Sequence, residues 1–137
     1  MASKILMLFS TSITLILGII HLVYTFSGSN LLPRDPVLLT AMHQAHLSLT
    51  KETTVWRAWV GFNASHSMGL ILFGLIFGFL VLYHTRLLFD SAYLLAVGFT
   101  MLAGFFVLSN LYWFSIPCAG ISISLVCYVA SIIASRA

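Results

Sequence analysis

Histidine dominates the chemistry open to this chain. Of its five histidines, His21 and His66 lie inside long apolar runs, where an ionisable side chain is costly enough to mark a site by default. Three uses fit that placement. The simplest is hydrogen bonding between helices, which fixes packing for about 0.6–2 kcal/mol per bond. A second is axial ligation of haem b, with His21 and His66 on opposite sides of the iron, Gly18 and Gly104 leaving room and Arg34 or Arg57 meeting the propionates. The third is a cavity for a lipid, quinone or other apolar small molecule, gripped through Asn63, His66 and Tyr112.

His43 and His46 suggest separate chemistry. Their i, i+3 spacing puts both on one side of a helix, and with Glu52 or His66 they would suit zinc or copper. Otherwise they are two polar residues at an interface. Hydrolysis has no support. Adjacent residues of a helix point about 100° apart, so Ser65 and Ser67 are not presented to His66 as a nucleophile is to its base. Of the three acids only Glu52 could orient a base; Asp35 precedes Pro36 as a helix cap, and Asp90 is distant. Cys118 and Cys127 fall on opposite faces of one predicted helix, about 13 Å apart along its axis, too far for a disulfide.

The elements that must hold these groups follow from composition. The chain is 61% hydrophobic and 7% charged, against about 25% charge in a soluble domain, and its mean hydropathy is +1.08. A water-soluble globule and a disordered chain are both excluded. Six scattered basic residues make no continuous positive face, so nucleic acid is excluded as a partner. No repeat joins the two halves.

Four stretches, about 5–26, 56–83, 91–113 and 116–135, each supply the roughly 20 residues needed to cross about 30 Å of hydrocarbon as helix. The first has an apolar run too long for a signal peptide and no A-x-A-like site before Ser27, so it is expected to remain as a span. The long connection contains an expected interfacial amphipathic helix at about 36–50, with Leu38, Met42, Ala45 and Leu49 facing the membrane. One continuous helix over 36–83 is the alternative. A short polar link covers His84 to Asp90, and Trp113 to Pro117 forms a tight turn. An even number of spans puts both ends on one side. Lys4, Arg86 and Arg136 share that side and Arg34, Lys51 and Arg57 the other, a tie in which short loops and tails favour cytoplasmic ends.

Small and polar residues mark helix faces that look toward protein. They are Ser10, Thr14, Gly18, His21 and Thr25 on the first span, and Glu52, Trp56, Trp59, Asn63 and His66 along the second. Tyr93, Thr100 and Gly104 mark the third, and Gly120, Ser124, Cys127 and Ser131 the fourth. Gly61, Ser65 and Gly69, continued by Gly74 and Gly78, form a ladder that a further helix could approach closely. His21 lies about 8 Å below the end of its span and His66 about 10 Å below Trp59, at one level. The expected binding site is therefore His21, Tyr24, Asn63, His66, Asn110 and Tyr112, at the mouth beneath the long connection.

The patterns Gly18-x-x-His21 and Gly61-Phe62-Asn63-x-Ser65-His66-x-x-Gly69 resemble those of small, uncharacterised four-span membrane proteins of bacteria. That resemblance covers the first two spans and implies a four-helix fold without an activity. The expectation is an all-α, antiparallel, integral membrane four-helix bundle forming one domain over 1–137. It is a multi-pass protein of a bacterial inner membrane and not an enzyme on its own. Its expected role is that of an accessory or interaction subunit, touching lipid and other membrane chains or a second copy of itself.

Overall fold

The computed structural model describes residues Met1–Ala137. Six helices and one hairpin follow in the order α1 (Ala2–Phe26), α2 (Pro36–Gln44), β1 (His46–Leu47), β2 (Thr50–Thr54), α3 (Val55–Tyr83), α4 (Thr85–Asp90), α5 (Ala92–Tyr112) and α6 (Ser115–Arg136). Four of them, α1, α3, α5 and α6, are long and apolar enough to cross a membrane. Their hydroxyls do not interrupt them. Thr11 donates to the Leu8 carbonyl, Thr14 to Ser10 and Thr25 to His21, so these polar atoms are satisfied on their own helix.

Turn chemistry ends the elements. Past α1, Gly28 takes φ +85°, a conformation that side chains disfavour. Asp35 caps α2 by accepting from the Val37 amide at 2.9 Å, with Pro36 at the first helical position. Ser91 caps α5 through the Leu94 amide. Trp113 and Phe114 are extended and form the tight turn into α6, where Pro117 falls in the first turn and its missing N–H costs nothing.

The long connection differs from expectation. The helix over 36–50 stops at Gln44, and no continuous helix runs over 36–83. Ala45 is extended, and the β-branched, polar run Thr50 to Thr54 lacks an apolar stripe to bury, so it pairs as an antiparallel hairpin instead. Its register joins His46 to Thr54 and Leu47 to Thr50, with an irregularity between the first two residues. Leu49 stands at the turn, fully exposed, rather than on a helical face with Leu38 and Met42. Glu52 lies on β2 and not on the α3 seam. The His84 to Asp90 link is also helical, because Leu88 and Phe89 are buried.

Two compact units make up the chain, Met1–Leu17 with Leu70–Ala137, and Gly18–Gly69. The first holds a core of Met7, Phe73, Phe77, Leu95, Leu102 and Tyr128 with their neighbours. Close approach there depends on glycine. A Cβ on Gly98 would strike the Tyr128 hydroxyl and the Phe77 ring, one on Gly74 would lie 2.6 Å from Leu15, and one on Gly120 2.8 Å from Leu17. Hydroxyls bind helix to helix. Ser124 donates to the Ser10 carbonyl at 3.0 Å, which uses its only proton, so the 2.9 Å contact between the two side chains has Ser10 as donor. Ser131 donates to the Ser3 carbonyl and Tyr128 to the Leu95 carbonyl.

These contacts agree with the inward faces read on α1 and α6. They reverse the one read on α5, where Leu95, Gly98, Leu102 and Ser109 are buried while Tyr93, Thr100 and Gly104 are exposed. Shape decided that face: Gly98 is needed under Tyr128, and hydroxyl content alone does not reveal it. The glycine ladder of α3 is split as well, because Gly74 is buried against α1 while Gly61 is open.

Candidate functional site

The unit Gly18–Gly69 contains the last turns of α1, the long connection and the first turns of α3. Asn63 is its hub. The amide nitrogen of Asn63 donates to the Trp59 carbonyl at 2.8 Å, the bond open to a side chain four residues on. A backbone carbonyl can only accept, so this bond fixes the amide's orientation and turns Oδ1 toward His21. At 3.0 Å, His21 Nε2–H donates to that oxygen, and Nε2 therefore carries the proton. Ser67 donates to the Asn63 carbonyl at 2.9 Å.

His66, one turn after Asn63, packs against His21 edge to face, with ring centroids 5.4 Å apart and planes at 75°. Both rings are half-buried. The structure thus brings His21, Asn63 and His66 into one cluster. Tyr24 joins a neighbouring recess, lined also by Thr25, Leu31, Trp56, Trp59 and Asn63. Its free volume of about 10 Å³ is near the threshold for one water. Trp59 closes it by donating from Nε1 to the Leu31 carbonyl at 3.3 Å, which ties the connection to α3.

Asn110 and Tyr112 belong to the other unit. Asn110 donates to the Phe106 carbonyl on its own helix at 2.7 Å, and Tyr112 is exposed.

The second histidine pair divides. His43 packs on Trp56 with centroids 5.0 Å apart and planes tilted at 36°, fastening α2 to α3. His46 is on β1, where its Nδ1–H donates to the Thr53 carbonyl at 3.1 Å. Glu52 is exposed, and its backbone amide donates to the Thr50 hydroxyl. No group of three or more His, Cys, Asp or Glu side chains is gathered to hold a metal ion. His43 and His46 would share a helical face only if one helix ran through both, and α2 ends between them. Cys118 and Cys127 are free thiols.

Two features of the cluster escaped sequence reasoning. Leu31 is tied to Trp59 through its carbonyl, which no residue type advertises. The packing of His43 on Trp56 depends on the hairpin returning the chain to α3, where the Val55 amide donates to the Ala45 carbonyl at 2.9 Å. No protein family, curated protein or solved structure matches the chain.

Proposed function

We propose that the chain is an antiparallel four-helix integral membrane protein that acts as an interaction subunit of a larger membrane assembly. Three α1–α6 contacts support the antiparallel sense: Ser3 with Ser131, Ser10 with Ser124, and Leu17 beside Gly120, one member rising in number as the other falls. Large apolar side chains, among them Phe9, Leu75, Phe99 and Val126, are exposed along all four long helices and suit contact with acyl chains. On this reading both ends face the cytoplasm of a bacterial cell, as the basic residues of the short segments favour.

The subunit role is carried by two glycines. A Cβ at Gly61 or Gly104 meets nothing within 4 Å, whereas Gly74, Gly98 and Gly120 are each filled by a neighbour. In lipid, close helix contact is made through small residues, so open small positions on α3 and α5 are suited to a helix from another chain. Gly61→Leu should leave the isolated fold within about 0.5 kcal/mol of the parent but release co-purifying membrane chains or dissociate a self-assembled form. Persistence of the parent as a lone monomer in mild detergent and in bilayers would remove this reading.

The meeting of His21 and His66 supports a second reading, in which this end binds an apolar ligand, or haem b once the two touching rings part. Ligation would require His21 Nε2 to leave Asn63. A haem band in the reduced visible spectrum, lost in both His21→Ala and His66→Ala, would establish it; a featureless spectrum would dismiss the haem form.

A further inference from the structure

A groove on the surface of the larger unit lies between α1 and α3, lined by Leu8, Thr11, Ser12, Leu15 on one wall and by the stretch from Gly74 to Tyr83 on the other. It is a wedge. At Gly74 the helices nearly touch, since a Cβ there would lie only 2.6 Å from Leu15, while the same atom on Gly78 would be 3.7 Å from Thr11. The gap therefore widens toward Tyr83. Phe79 continues the wall there, its ring 5.2 Å from that of Tyr83 and 5.3 Å from that of His84.

Size selects the occupant. The volume is about 310 Å³, and Leu8 to Leu15 spans about 10 Å of helix, giving a cross-section of about 30 Å². A helix with its side chains is about 10–12 Å across, so it would rest on the rim with only a ridge of side chains inserted, whereas a single hydrocarbon chain can lie within the groove.

Charge selects its head. Lys4 is four residues before Leu8, on the groove's own face of α1 and at the wide end. Ser131 bonded to the Ser3 carbonyl, and Arg136 bonded to the Phe89 carbonyl at 3.2 Å, bring the ends of α6 and α4 to this same end. Lys4, Arg86 and Arg136 therefore accompany one acid, Asp90. Tyr83 is the amphipathic ring expected where hydrocarbon meets head groups.

We propose that this wedge binds one acyl chain of an anionic phospholipid, with the chain between α1 and α3 and the phosphate at Lys4. The inference rests on the membrane reading above. The test is native mass spectrometry of the full chain from mild detergent, supplied with equal phosphatidylglycerol and phosphatidylcholine. One phosphatidylglycerol should be retained by the parent and by Ile133→Ala, which is exposed on α6 and outside the groove. Gly78→Leu, which fills the groove, should lose it, as should Ser12→Phe on the exposed wall, where folding is not at risk. Lys4→Gln should weaken the preference for the anionic lipid by about fivefold. Equal retention of both lipids, or retention unchanged in both groove variants, would overturn the site. A chain released from membranes by carbonate washing would instead overturn the membrane reading, and the site with it.

Discussion

The two compact units solve the same problem with different chemistry. In Met1–Leu17 with Leu70–Ala137, helices are fastened by serine and tyrosine hydroxyls reaching backbone carbonyls, and glycines let them approach. In Gly18–Gly69 the fastening is done by rings and an amide: His21 to Asn63, His66 against His21, Trp59 to Leu31 and His43 on Trp56. Short hydroxyl links demand near-contact of backbones and leave little room to adjust. Long polar rings reach farther and can exchange partners. The difference teaches that buried polarity in the first unit specifies packing, while in the second it leaves imidazole chemistry within reach of the connecting segment.

Substitutions that respect one unit and damage the other would sharpen this contrast. The largest effect is expected at Gly98, where leucine must displace both Tyr128 and Phe77; Gly98→Leu should cost about 3 kcal/mol or more, read as loss of helicity in a denaturant titration. Gly104→Leu on the same helix serves as its silent partner. Next, Asn63→Leu removes the acceptor for His21 and the donor to Trp59, costing about 1–3 kcal/mol. Hydrogen exchange should speed up within residues 18–69 and stay unchanged over 92–136. Equal acceleration in both segments would break the distinction. Ser124→Ala, which strands the Ser10 hydroxyl, should cost about 0.6–2 kcal/mol and show the opposite exchange pattern. The smallest effect belongs to Trp59→Phe, whose exposed bond to Leu31 is worth about 0.5 kcal/mol, detected as faster exchange confined to the connection.

What could be read in the sequence follows from how local each signal is. The four long helices were legible because apolar length is a property of the run itself. So was the Asp35-Pro36 start of α2, which two adjacent residues encode. The meeting of His21, Asn63 and His66 was legible because hydroxyl and amide groups repeat at helical spacing on α1 and α3. The hairpin was not, since Ser48-Leu49 carries no glycine or asparagine to announce a turn, although the threonine run after it favours strand. Nor was the buried face of α5. Its determinant is the fit of Gly98 to Tyr128, 30 residues later in the chain, a fact about shape that no single segment contains. Asn110 and Tyr112 share with His21 and His66 only a depth along the helices, and height along a helix says nothing about rotation around it.

The hairpin has one further consequence. A two-stranded sheet leaves a row of unpaired main-chain groups on each outer margin, the sort of surface that recruits a foreign strand. Here β1 is two residues long, and β2 displays Lys51 and Glu52 to solvent. Such brevity and charge discourage cross-β growth. The polar loop is therefore a poor seed for aggregation.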